Sequence, residues 1–383
     1  MAARLASVPA FLSPMGIEPM ISGTRRTLID RRSFIKAAGV SFLTALAPRS
    51  LYALERTDAV FASAFRARDG SYGIATVSEG GEIIDRVTLP ARAHGMATSH
   101  AIGVTVAFAR RPGTFFMAFD PGGHREPIVM HTPENRHFYG HGQFSPDGSI
   151  LYASENDFDG NRGVIGLYDA RNGFIRIGEY DAHGVGTHDM TVSDDGRTII
   201  IANGGIETHP DFGRTKLNID RMQPSLVLLD AATGHLIQKH AMSNGLRQLS
   251  TRHVDIGDDG RIWFACQYEG PRNDLPPLVG HFSRGEDVTF VDLPEETTVR
   301  LANYVGAIAV NRRDKLVGLT SPNGNAAVTL DAKTGRVVSE TTVRDAAGVA
   351  PALRGIAVSS YQGFFGARRS DVAWDQHIVW LSS

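Results

Sequence analysis

Short apolar runs, either alternating with polar residues or continuous and β-branched, follow one another from about residue 59 to residue 382. Helical repeats would need apolar positions at a period near 3.6, whereas these runs have the period of two or the brevity of β-strands. Turn signals separate them. Ser145-Pro146-Asp147-Gly148, Ser193-Asp194-Asp195-Gly196 and Gly257-Asp258-Asp259-Gly260 each precede an apolar strand. Asp-Gly between apolar runs is a hairpin signal, because Gly accepts the positive φ of a tight turn. Six residues before the Asp of each Asp-Gly pair lie His141, Asp189 and His253, and weaker copies place His94, Ala307 and Gly355 in the same register. The spacings of 47, 48, 64, 54 and 48 residues match the period of a β-propeller blade.

The clearest copy predicts four strands, over residues 142–145, 150–154, 163–169 and 174–180. Asp230-Ala231-Ala232-Thr233-Gly234 and Asp331-Ala332-Lys333-Thr334-Gly335 repeat as the outer hairpin of a blade. About three strands lie within 59–90 and one near the C-terminus, so the expected fold is an all-β propeller closed by strands from both ends, a device that removes the free sheet edge. Seven four-stranded blades result if 375–381 is the innermost strand of the first blade, and six otherwise. A single propeller domain over residues 54–383 is expected, as a monomer.

Composition narrows the function classes. Lys and Arg number 39 against 41 Asp and Glu, for a net charge of −2, which leaves no global basic field for nucleic acid. No apolar run is long enough to span a bilayer. The single cysteine, Cys266, allows no internal disulfide and reads either as a small buried residue or as a soft ligand. Asp30-Arg31-Arg32-Ser33-Phe34-Ile35-Lys36, followed by a small apolar stretch over 37–47, resembles a twin-arginine export signal. Residues 1–53 are therefore expected to be an N-terminal extension and signal peptide, cleaved after Ala47 or Ala53. Met15 and Met20 are alternative starts. This route exports folded proteins, so a periplasmic location is expected.

Five strings resemble those of the DUF1513 family of exported bacterial propellers: Ala107-Phe108-Ala109-Arg110-Arg111-Pro112-Gly113, Arg136-His137-Phe138-Tyr139-Gly140-His141, Asn203-Gly204-Gly205-Ile206-Glu207-Thr208-His209-Pro210-Asp211, Cys266-Gln267-Tyr268-Glu269-Gly270-Pro271 and Trp374-Asp375-Gln376-His377. Gln376 stands where the family pattern leads one to expect Asn. The resemblance implies a periplasmic propeller whose partners are imelysin-like and dihaem-cytochrome-like proteins of periplasmic iron uptake. It implies no particular reaction.

Propeller topology sends the link between blades and the loop between second and third strands to one face. That face is expected to collect Arg110, Arg111, Arg136, Tyr139, Glu155, Asn203, His209, Lys216, Arg252, Tyr268, Arg272 and Tyr304, while the opposite face carries little beyond turns. Of 14 histidines, His94, His141, His188 and His253 fall at or beside the starts of four inner strands. Imidazoles converging on one axis suit Zn, Cu or Fe, with Glu155, His209 or Glu269 completing the set; alternatively each tethers neighbouring blades through a backbone carbonyl. The arginines, with Tyr139, Asn203, Tyr268 and Tyr304, suit an anionic ligand, a metal chelate or haem propionates, or else form salt bridges with Glu155, Asp157, Asp211 and Glu269. The long segment 207–224 reads as a lid or docking loop. Two functions remain open: a binding platform for a metal, a chelate or a partner protein, and a lactonase- or esterase-like hydrolase with His141 or His188 as base and Arg136 or Arg252 holding the oxyanion.

Overall fold

A computed structural model describes residues 60–381; the twin-arginine motif and the expected cleavage sites lie outside them. Seven antiparallel four-stranded sheets form the molecule. The first is closed by the C-terminal strand Ala373–Trp380, which is innermost and pairs with Phe61–Arg66, followed outward by Tyr72–Val77 and Ile83–Leu89. That placement supplies the seventh innermost strand and makes the ring seven-bladed. Among the described residues no helix is long and apolar enough to cross a membrane.

The remaining innermost strands are Ala93–Ser99, Arg136–Phe144, Thr187–Val192, Leu249–Ile256, Ala307–Asn311 and Ala346–Pro351, heading blades two to seven. The third blade follows the expected order, with outer strands Ile150–Asp157, Arg162–Asp169 and Ile175–Asp181. One register expectation fails. Gly355, aligned above with inner-strand positions, instead lies at φ +69° just before the second strand, Ile356–Ser360. The true inner strand, Ala346-Ala347-Gly348-Val349-Ala350-Pro351, is too small-residued to stand out as an apolar run.

Turn chemistry explains the hairpins. Asp147 Oδ1 accepts from Ser145 Oγ at 2.7 Å and from the Ser149 amide at 3.0 Å, with Gly148 at φ +69°. Asp195 repeats the pattern with Ser193 Oγ at 2.6 Å and the Arg197 amide at 3.0 Å. In the outer hairpins Asp230 and Asp331 each accept from two backbone amides and the Thr hydroxyl three residues on. Between blades the sheets bury their apolar faces. Phe108 and Phe116 of the second blade meet Phe138 of the third at centroid distances of 5.5–5.7 Å. Each such side chain contributes roughly 1.5–3 kcal/mol of burial.

Candidate functional site

Six of the seven inner strands pair irregularly; in Ala346–Pro351 the shift frees only Ala347 and Gly348, and in the other five it turns larger residues toward the axis. The register with the second strand shifts between Ala93 and Met96, between Phe138 and Gly142, between Thr187 and Asp189 and between Thr251 and His253. In the closing sheet a shift opposite Ser63 and Phe65 frees Asp375, Gln376 and His377. A bulge inserts unpaired residues and re-aims their side chains. Here the freed residues include His94, Tyr139, His141, His188, Arg252 and His377. Close approach of the strands is allowed by Gly95 and Gly140: a Cβ on Gly95 would lie 2.3 Å from the Gly140 carbonyl oxygen, and one on Gly140 would lie 3.0 Å from the His94 ring.

The result is a cluster of five imidazoles. His141 is central, with ring centroids 4.9 Å from His94, 5.0 Å from His188, 5.5 Å from His253 and 4.5 Å from His377. Two overlapping triads, His94/His141/His377 and His141/His188/His253, each bring one ring nitrogen per residue within 4.8 Å of the others. Carboxylates support three of the rings. Asp189 lies between His141 and His253, with its oxygens 3.1 Å and 3.5 Å from their Nδ1 atoms, and Asp375 lies 3.3 Å from His94 Nδ1 while pairing with Arg92 at 2.6 Å. An acceptor at Nδ1 requires the proton there and leaves Nε2 as a free lone pair. His141 Nε2, His377 Nε2, His188 Nδ1 and His253 Nδ1 are buried without a hydrogen-bond partner, Asp189 standing off His253 at ion-pair distance only.

These links join separate blades, so a tether does exist, but through carboxylates and not carbonyls. Burial, aided by neighbouring rings, drives the pKa of His94, His188 and His377 well below the ordinary imidazole value; burial holds His253 at about 4 against the pull of Asp189. His94, His188, His253 and His377 are therefore neutral near pH 7 and able to act as ligands. Burial alone would raise Asp189, yet the electrostatic pull of the His141 and His253 rings beside it holds it well below the usual carboxylate range.

Above the cluster opens a cavity of about 230 Å³, lined by His94, His188, Arg110, Arg111, Tyr139, Arg214, Lys216, Arg252, Gln267, Tyr304, Asn323 and Gln376. Gln376 donates to Tyr304 Oη at 2.6 Å. Arg252 is buried, at 7% exposure, and its Nε has no partner; Arg110 Nη1 is also buried and unpaired. Lys216 pairs with Glu269, whereas no ion pair engages Arg110, Arg111, Arg214 or Arg252 among the described residues. Burial and the neighbouring guanidinium of Arg252 lower Arg111 to about 10; Arg214 is an exposed residue only partly enclosed by the cavity, and that enclosure, with Arg110 and Arg111 nearby, lowers it as well. The segment 207–224 delivers Arg214 and Lys216, and Asn218 pins it by accepting from the Glu207 amide at 2.8 Å and donating to the Gly205 carbonyl at 2.9 Å.

Several expected site residues lie elsewhere. Glu155 is fully buried among Tyr168, which donates to it at 2.6 Å, and Arg176, at 3.0 Å; its position on the second strand of blade three keeps it out of both histidine triads. His209 caps a short turn beside Asp159 and Asp211 and packs on Phe158. Arg136 pairs with Glu179 at 3.1 Å and Asp157 at 3.6 Å, as the salt-bridge alternative holds. Asn203 donates to the Ala182 carbonyl at 2.9 Å, and Tyr268 donates to Asp274 at 2.7 Å. Cys266 is buried, which pushes its thiol pKa up. The opposite face is not bare: a cavity of about 630 Å³ includes Asp255, Arg312 and Trp380, and burial raises Asp255 to about 6.

Sequence reasoning missed His377, Asp189, Asp375 and Arg214. His377 lies on the strand already suspected of closing the ring, and Asp189 occupies the repeat position of His141 and His253. Arg214 carried no signal beyond its place in the long insertion.

The chain is 28% identical over 140 residues to dihydro-heme d1 dehydrogenase of Pseudomonas aeruginosa, a match that covers 34% of this chain and only 23% of that protein. In fold it resembles hydrazine synthase of Kuenenia stuttgartiensis (14% identity, TM-score 0.55, 76% of this chain and 86% of that one) and the Cps50 (Swd1) β-propeller domain of Myceliophteria thermophila (9% identity, TM-score 0.55, 86% and 98%). Residues 87–381 match the family described as "Protein of unknown function (DUF1513)", and the chain belongs to that family.

Proposed function

We propose that the propeller is an exported, periplasmic binding platform that holds a transition-metal ion on the axial histidines, as part of iron acquisition with imelysin-like and dihaem-cytochrome-like partners. The observation that carries the metal is the set of buried, unpartnered imidazole nitrogens on His141, His188 and His377, inside two triads whose rings are backed by Asp189 and Asp375. Imidazoles in that number suit Zn, Cu or Fe. The relative from Pseudomonas aeruginosa bears a name that assigns it a haem-type molecule, which supports an iron-containing ligand.

Purified without chelator, the protein is expected to carry one of these metals, and adding chelator should lower its melting temperature, because an ion that binds only the folded state stabilises it by mass action. His141→Ala removes the residue common to both triads. It should abolish metal binding and the chelator-dependent shift; because it also breaks the inter-blade contact with Asp189, the metal-free protein should melt lower than wild type as well. Equal destabilisation of wild type and variant with and without chelator, at zero metal content, would falsify the metal reading. The contact between His141 and Asp189 favours a second reading, in which this carboxylate-backed imidazole is a general base for ester or lactone hydrolysis and Arg252 holds the oxyanion. Turnover of lactones that His141→Ala eliminates would decide for it.

A further inference from the structure

The histidine cluster accounts for the floor of the cavity but not for its walls. Arg110, Arg111, Arg214 and Arg252 face a space of about 230 Å³ without an ion-pair partner, and two of them have buried nitrogens with nothing to donate to. A buried, unpaired charge is costly, and like charges gathered around one space add to that cost. Such an arrangement is stabilised by a counter-charge that arrives from outside. Guanidinium forks match carboxylate geometry and can engage it through two parallel hydrogen bonds.

Size restricts the ligand. About 230 Å³ is room for roughly seven or eight waters at about 30 Å³ each, below the ~300–1,000 Å³ typical of drug-sized ligands. A short di- or tricarboxylate suits a space of that size. Position supplies the rest. His94 and His188 line the same cavity that the arginines line, so one carboxylate can meet an ion on the imidazoles while another meets the guanidinium groups.

We infer that this cavity binds a small polycarboxylate, clasped by Arg110, Arg111, Arg214 and Arg252, which completes the coordination of the metal held on the histidines, so that metal and anion bind cooperatively. The cooperative half rests on the metal reading above; the anion site stands on the unpaired arginines alone. The arm carrying Arg214 and Lys216 closes over the mouth, and Lys216 is held there by Glu269.

The test is calorimetric titration with malonate, a dicarboxylate that chelates weakly in solution, on metal-free and zinc-loaded protein, with acetate and inorganic phosphate as comparison probes. Malonate should bind the metal-free protein, bind about tenfold more tightly once zinc is present, and tighten zinc by the same factor, since coupling is reciprocal. Arg111→Gln should weaken malonate about tenfold while zinc binding measured without anion stays within about threefold. His141→Ala should lose zinc and the coupling yet keep malonate. Malonate without measurable affinity for either form, or phosphate bound more tightly than malonate, overturns the polycarboxylate assignment. Malonate binding with no zinc binding at all would leave the anion site standing and remove the metal reading and the cooperativity together.

Discussion

Asp189 is one side chain serving two rings. It lies at hydrogen-bond or ion-pair distance from His141 and His253, while the amides of Met190 and Val254 donate to it at 2.8 and 3.2 Å. Asp189→Asn keeps the shape and can keep an oxygen toward one amide, but it places a donor where one imidazole needs an acceptor. Loss of such supporting carboxylates costs about 10–100-fold in metal affinity, and that drop, measured by competition with a chromophoric chelator alongside a lowered melting temperature, is the expected outcome. Arg252 leads to the opposite sign. Its buried guanidinium has no partner for Nε, so Arg252→Met should raise the melting temperature of the ligand-free protein, by about 1 kcal/mol or more of stability, while removing affinity for anions. A less stable Arg252→Met protein would show that Arg252 has a structural partner after all.

At the level of strands and turns, the inner-strand bulges make the site. Gly95 sits inside one of them, and a methyl group there would collide with the Gly140 carbonyl oxygen and with His141 Nδ1. Gly95→Ala should therefore cost about 1–3 kcal/mol in a denaturant melt and lower metal content as well, whereas a substitution at Gly260, whose Cβ would meet nothing within 4 Å, should act only through its positive φ and leave the metal untouched. This separation also explains what could be read in advance. The Ser-x-Asp-Gly and Asp-Ala-x-Thr-Gly turns are local chemistry, written in four or five adjacent residues, and they announced the blades and their period. The convergence of His94, His141, His188 and His253 followed from that period. His377 escaped because its blade is assembled from both ends of the chain and so shows no repeat of its own. Glu155 and Arg136 were misplaced because loop sorting assigns a face, whereas their partners Tyr168, Arg176 and Glu179 come from the same sheet.

For the molecule as a whole, the buried histidines set a pH dependence. His94, His188 and His377 are held well below the imidazole value of 6.5, and His253 near 4. Between pH 6.5 and 4 the unfolded chain therefore binds protons that the folded one refuses, so stability rises with pH across that window and falls as the pH is lowered through it. Each such histidine contributes up to roughly 1.4 kcal/mol per pH unit. Urea melts of metal-free protein at pH 7, 6, 5 and 4 should show a steep decline that His253→Gln makes shallower; a flat profile would mean that the rings take up protons in the native state.

Ring closure has a consequence in time. The strand Ala373–Trp380 both seals the first blade and supplies Asp375, Gln376 and His377 to the centre. A ribosome working at about 5–20 residues per second therefore delivers His94 many seconds before His377, and a nascent or clipped chain that ends before Ala373 has an open ring and a broken centre at once. On the proposed metal reading, the triad of His94, His141 and His377 can assemble only after translation has run through that closing strand, whereas His141, His188 and His253 are all synthesised before it.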